Sequence, residues 1–250
     1  MPSAALAATV AAAGAGTAEP AAALQDALAQ AMAPIAEPGE AGPHIVRVQL
    51  FVQALGRRLQ ETAPYAQDWT AETLQALVRA AALHDIGNSV VPDRILLKPG
   101  VLTAQEFEVV RLHPQAGCDI ITQIQRRAGG STPFLSFARE ITLGHHERWD
   151  GSGYPQGLAR EAIPAAARLV AIADAYDALT SDRVYRSGVP HDKAARQIFQ
   201  QRGAQFAPDM VDAFIEVQFA FRDIAQQHAD GEHDLQRQID YLAKAIAENP

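Results

Sequence analysis

From His44 onward, apolar residues return every three to four positions. Val48, Phe51, Val52, Leu55 and Leu59 share one face while Arg57 and Arg58 turn outward, which predicts an amphipathic helix. A second helix has Thr70 as its cap and Glu72 near its positive end, and runs through Leu74, Leu77, Val78 and Ala81. It leads to His84-Asp85-Ile86-Gly87, where Gly87 is expected to stop it. Thr103-Ala104-Gln105-Glu106 spells a capping box, with Leu102 and Phe107 placed as a hydrophobic staple. That helix is expected to reach His113, where Pro114 disfavours helical geometry in the residue before it and opens a further helix through Ile121 and Ile124. Phe134 to His146, Ile163 to Leu179 and Val211 to Phe221 read as three more. The middle one is apolar almost all round except for Asp174 and Asp177, which places it centrally. No segment alternates apolar with polar residues, so the expected fold class is all-α.

The ends read differently. Residues 1 to 20 are mostly Ala and Gly with nothing bulky to bury, and Leu24, Leu28 and Met32 then mark one thin helix ending near Pro34. Glu37 to Pro43 is dense in Pro and Gly and reads as a connector. Beyond the main body, Leu235, Ile239, Leu242 and Ile246 follow a 4-3-4 spacing that fits a helix with an apolar seam, docking in cis or pairing two copies as a homodimer. The expected organisation is a leader over 1–38, a main domain over 39–222 and a C-terminal helical extension over 223–250.

Composition narrows the function. Of 250 residues, 48% are hydrophobic and 20% charged, enough apolar side chain for a core without disulfides. The single cysteine, Cys118, cannot pair internally, and no apolar run is long enough to span a bilayer, so the expected setting is the cytoplasm, away from a membrane. A net charge of -8 opposes binding of a nucleic-acid polymer unless a local positive centre intervenes. Candidate chemistry for such a centre is present. His44, His84, His113, His145 and His146 lie at expected helix ends or beside carboxylates. One histidine alone is more often a hydrogen-bonded core or surface residue, but His84-Asp85 and His145-His146 each place two metal-competent side chains where a buried helix ends. Imidazole and carboxylate suit iron, manganese, zinc or nickel, and no cysteine accompanies them.

Leu83-His84-Asp85-Ile86-Gly87, His113-Pro114-Gln115-Ala116-Gly117 and the run from His145-His146-Glu147-Arg148-Trp149 through Asp150-Gly151-Ser152-Gly153-Tyr154-Pro155 resemble, in order and spacing, the HD-GYP phosphodiesterases. Asp174-Ala175-Tyr176-Asp177-Ala178-Leu179-Thr180 and Arg183-Val184-Tyr185-Arg186 resemble that family's later signatures, so the likeness covers about residues 39 to 222. It implies an HD-superfamily helical bundle with the Asp150 to Pro155 loop between helices, at the active site. It further implies that His84 and Asp85 are the central metal-binding and catalytic pair, with His44, His113, His145, His146 and Asp174 completing the ligands of at least two divalent ions, iron by expectation and manganese as the other candidate. Glu40, four residues before His44, resembles a ligand for a third ion, and reads equally well as an exposed carboxylate of the connector. The likeness also implies substrate contacts from Gly151, Gly153, Tyr154 and Asp150 in the loop and from Arg183 and Arg186, whose guanidinium forks suit phosphate. Tyr154 is read as packing or binding.

Two divalent ions outweigh Asp85, Asp174 and a hydroxide held between them, which leaves a positive centre for a phosphodiester. The expected activity is therefore hydrolysis of cyclic di-GMP to pGpG or GMP by bridging-hydroxide attack, with cyclic GMP-AMP as another substrate of the same chemistry. A diguanylate cyclase domain is an implied partner at the loop. One departure stands out. The family commonly has lysine after the HD-x-Gly run, whereas this chain has Asn88, which still hydrogen-bonds phosphate but brings no charge. Asn88 is accordingly read as a substrate-binding and catalytic position with slowed turnover, and it favours an alternative in which a weakly active module senses the nucleotide or docks a partner.

Overall fold

Pro43, whose ring fixes φ and whose missing N–H is no loss at a first helical position, opens α1 (Pro43–Gln60). The computed structural model describes residues 43–98, 100–182 and 187–231, with residues 236, 239 and 240. The leader, Glu40, Arg183, Arg186 and the expected C-terminal seam other than Ile239 lie outside the described residues. After α1 come α2 (Tyr65–Asp68), α3 (Ala71–Ala81), α4 (Asp93–Leu96), α5 (Ala104–Val110), α6 (His113–Arg127) and α7 (Pro133–Gly144). α8 (Ala165–Thr180), α9 (His191–Gln200) and α10 (Pro208–Gln227) complete the order, with 3-10 turns at Ile86–Val90 and Arg160–Ala162. The all-α expectation holds: among the described residues no strand forms, and Arg202 with Phe206 makes an isolated bridge. None of the described helices is long and apolar enough to cross a membrane.

The apolar spacing of α1 becomes burial, with Val48, Phe51, Val52, Leu55 and Leu59 inside. α1 packs against α3, α8 and α10, and α7 packs against α3, α6 and α8, so α8 sits between the two groups. Its near-uniform apolarity follows from that central place. Rings join the layers below the histidines: Phe51 stacks on Phe221 at 4.5 Å, and Tyr176 meets both edge-on at 5.2 Å.

One local expectation needs correction. α3 ends at Ala81, not at Gly87, and the chain passes through tight turns before the 3-10 segment. Gly87 lies inside that segment, where any Cβ would collide with the His113 carbonyl and approach Gly117 N to 2.6 Å. The glycine thus permits contact between this turn and the start of α6, which sets His84-Asp85 beside His113. The capping box at Thr103 is present, Glu106 accepting from Thr103 N at 2.7 Å and donating its own N–H to Thr103 Oγ1 at 3.2 Å. Phe107, the fourth residue of this helix, is 44% exposed, and its ring faces Tyr154 of the later loop at 6.1 Å. α10 extends to Gln227, past the helix expected over Val211 to Phe221.

Candidate metal centre

Helix ends converge here. His44 comes from the first turn of α1, His84 and Asp85 from the turn after α3, His113 from the first residue of α6, His145 and His146 from the end of α7, and Asp174 from the middle of α8. Side-chain ligand atoms of Asp85, His113, His145 and His146 lie within 4.8 Å of one another, and those of His44, His84 and Asp174 form a second such group. All seven of these ligands expected from the sequence are therefore brought together; the eighth, Glu40, lies outside the described residues.

Four of the imidazoles are held the same way. Nδ1 of His84 lies 2.9 Å from the Ala81 carbonyl, that of His113 2.8 Å from the Val110 carbonyl, and that of His145 2.9 Å from the Ile141 carbonyl. His44 Nδ1 donates to Asp177 Oδ2 at 2.7 Å. A proton held on Nδ1 leaves Nε2 as a lone pair, which is the form a metal takes. The Nε2 atoms point at carboxylates and at each other: His113 and His145 approach Asp85 Oδ1 at 3.2 and 3.3 Å and stand 3.4 Å apart. His84 Nε2, fully buried, has no hydrogen-bond partner and lies 3.6 Å from Asp85 Oδ2 and 3.9 Å from Asp174 Oδ1. Asp85 thus turns one oxygen to each ligand group. Buried lone pairs facing one another are costly without a cation between them, so this donor set fits divalent metal.

The electrostatics differ from ring to ring. Burial alone would raise the Asp85 carboxyl, but the His84 and His113 imidazoles hold it well below the usual carboxylate range. Burial and the neighbouring His145 and His113 push His146 far down, keeping it neutral, and burial likewise lowers His84. His145 is raised, because its bond to Asp85 overcomes burial.

Three supporting residues escaped the sequence reading. Asp177, one turn beyond Asp174, takes His44 on one oxygen and Arg47 Nε on the other at 2.5 Å. Burial would raise its carboxyl, yet His44 and Arg47 hold it far below the ordinary value. Arg47, only 3% exposed, also donates to the His228 carbonyl at 2.9 Å and to Asp230 at 3.1 Å. Glu147, next to the two histidines, is buried and accepts from Gln156 N at 2.7 Å and Leu158 N at 3.0 Å, tying the loop to the ligands. The polar break in an apolar helix at Asp177 was a readable signal; nothing local marked Arg47.

The loop itself is as irregular as its composition predicts. Asp150 Oδ1 accepts from Ser152 N at 3.0 Å and Ser152 Oγ at 2.6 Å, so this carboxylate is engaged within the loop. Gly151 has φ 81°, and at Gly153 a Cβ would strike the Arg148 backbone. Tyr154 stacks on His146 at 4.8 Å, and the Arg111 guanidinium lies over its ring at 4.9 Å. A cavity of about 350 Å³ opens here, lined by His145, His146, Arg111, Arg148, Ser152 and Tyr154 among others. Asn88 is buried in the 3-10 turn after the ligand pair, its Oδ1 without a partner, and lies outside that lining.

A helical bundle whose helix ends deliver imidazoles and carboxylates to one buried point is a metal-ligating α-domain. Residues 45–210 match the HD domain family model, and the chain belongs to that family, with the HD-GYP signature described above. It is 44% identical over 211 residues to a "Probable cyclic di-GMP phosphodiesterase" of Vibrio cholerae, covering 84% of this chain and 48% of that protein. A "Cyclic di-GMP phosphodiesterase" of the same organism is 44% identical over 191 residues, covering 76% and 39%. A "3'3'-cGAMP-specific phosphodiesterase 2", also from Vibrio cholerae, is 36% identical over 177 residues, covering 71% and 31%. The chain spans about half or less of the length of these curated relatives. Among solved structures, an HDG"Y"P protein of Bdellovibrio bacteriovorus shares the fold at TM-score 0.54 and 21% identity, over 80% of this chain and 63% of that one.

Proposed function

We propose that this chain is a metal-dependent phosphodiesterase that opens cyclic di-GMP in the cytoplasm. The observation that carries the reading is the convergence of buried Nε2 atoms on the two oxygens of Asp85. His44, His84 and Asp174 would hold one divalent ion and His113, His145 and His146 a second, with Asp85 shared. Ions bound there supply Lewis acidity toward a phosphodiester and a water activated for attack on phosphorus. Iron is the metal proposed, with manganese able to replace it.

The protein's own groups do the rest. Nδ1 contacts to backbone carbonyls and to Asp177 fix the ligand rings before substrate arrives. Arg111 and Arg148 set two guanidinium groups around the cavity that contains His145 and His146, where they face a phosphate's non-bridging oxygens. Tyr154, stacked on His146, shields that ligand from water. Asn88 offers an amide where the family commonly has lysine, a group that can hydrogen-bond a phosphate oxygen but brings no charge. The exposed loop at Asp150 and Gly151 is the surface proposed for a diguanylate cyclase domain.

A sensor with little hydrolysis is the second reading, and Asn88 favours it. Protein loaded with ferrous iron or manganese under anaerobic conditions separates the two. Multiple turnovers to pGpG or GMP, abolished in His84→Ala and Asp85→Ala, support the enzyme. Stoichiometric binding with no product supports the sensor.

A further inference from the structure

A second cavity, of about 830 Å³, adjoins the first. Arg148 and Gln205 line both. One wall is α8, through Ala175, Ala178 and Leu179, and the other is the end of α9 with the segment after it, through Gln197, Ile198, Gln200, Gln201 and Phe206. Ala178 lies four residues beyond the ligand Asp174, on the same helix face, so this cavity begins one helical turn from the metal centre. Its floor is apolar and its rim carries carboxamides. Among the described residues the side chains of Gln197, Gln200, Gln201 and Gln205 make no hydrogen bond, as is also true of Gln53, Gln67 and Gln75; what sets these four apart is that they line one cavity. Four unengaged amides gathered within nine residues of sequence, on one side of an apolar slot, offer paired donors and acceptors to a flat ligand.

We infer that this cavity is the base-binding subsite, taking one guanine of the cyclic dinucleotide while the adjoining phosphodiester lies in the imidazole-lined cavity. The inference rests on the substrate reading above and extends it to the residues that choose the base. In a cyclic dinucleotide every phosphodiester is flanked by nucleosides, so a phosphate at the metal centre leaves a purine beside it, and the second cavity shares Arg148 and Gln205 with the first. Small side chains at Ala175 and Ala178 leave room for the face of the ring. The Gln197 and Gln201 amides then meet its edge, where a carboxamide both accepts from guanine N–H groups and donates to guanine O6 or N7. Arg148, fixed by its Nε to Ser152 Oγ at 2.9 Å, stands between base and phosphate.

Equilibrium binding on the manganese-loaded chain tests this, with cyclic di-GMP and 3'3'-cGAMP, which differ in one base, as probes. The Gln197→Ala/Gln201→Ala double variant is expected to bind cyclic di-GMP about tenfold more weakly and to lose most of the preference between the two nucleotides. Ala178→Leu, which fills the slot from the opposite wall, is expected to weaken both. Because both glutamines are partly exposed, the double variant should keep the parent's thermal midpoint and reports even if Ala178→Leu does not fold. Unchanged affinity and preference in the double variant, with the parent binding normally, overturns the subsite and leaves the substrate reading intact. A parent chain that binds neither nucleotide overturns the substrate reading and the subsite together.

Discussion

Asp177 shows how much can rest on one side chain. It carries no expected metal contact, yet it fixes the proton of His44 and neutralises Arg47 in a place almost closed to water. Removing one member of a buried ion pair typically costs about 3 to 5 kcal/mol because the other charge is stranded. Asp177→Ala should therefore lower the unfolding free energy by about 3 kcal/mol in a urea titration. Its bound metal, counted by elemental analysis, should fall as well, since His44 loses the partner that orients it. Asn88 poses the opposite case, a ligand-bearing turn intact but without a charge. Asn88→Lys is expected to raise the catalytic constant about tenfold or more at unchanged metal content, because a cationic donor acts on charge that develops in the transition state. An unchanged constant would show that this position does not limit the rate.

At the scale of elements, the short helix α5 is defined by its cap. The Lys98 ammonium and the Thr103 N–H hold the Glu106 carboxyl down to about 2, against 4.5 in the unfolded chain. A depressed carboxylate stabilises the fold above its unfolded pKa and ceases to do so as pH falls through the folded one. The stability difference between the parent and Glu106→Gln should then be full above about pH 4.5 and vanish toward about pH 2, as read by denaturant midpoints. Deeper in the fold, Phe51→Ala removes a ring packed between Phe221 and Tyr176 and should cost about 3 to 5 kcal/mol. Elements with such faces were legible in the sequence, because a stripe from Val48 to Leu59 has one physical solution. α9 was not, because its buried side chains are Ala194 and Ile198, too few to set a period. Nor was the true end of α3, since the signal attributed to Gly87 as a stop came from its packing on α6.

Across the whole molecule, the candidate centre was legible where two ligands are neighbours in sequence, as in His84-Asp85 and His145-His146. His44, His113 and Asp174 needed the motif order as well. The support was hidden because it is tertiary: Arg47 and Asp177 are 130 residues apart, and no local pattern links them. A cluster whose imidazoles sit this close should gain stability from the ions it binds. Loading with manganese to about 100 times its dissociation constant is expected to add about 2.7 kcal/mol to the unfolding free energy, and a chelator should reverse it. A thermal midpoint indifferent to metal would contradict the assignment of these residues as ligands.

Arg47 also reaches the other way, to the His228 carbonyl and to Asp230, beyond the last turn of α10. The tail of the bundle is thereby latched, through the Arg47 guanidinium, to the histidine that begins it. Trimming the chain at residue 222, where sequence alone would draw the border, would unfasten that latch and loosen the support of His44 at the opposite end of the chain.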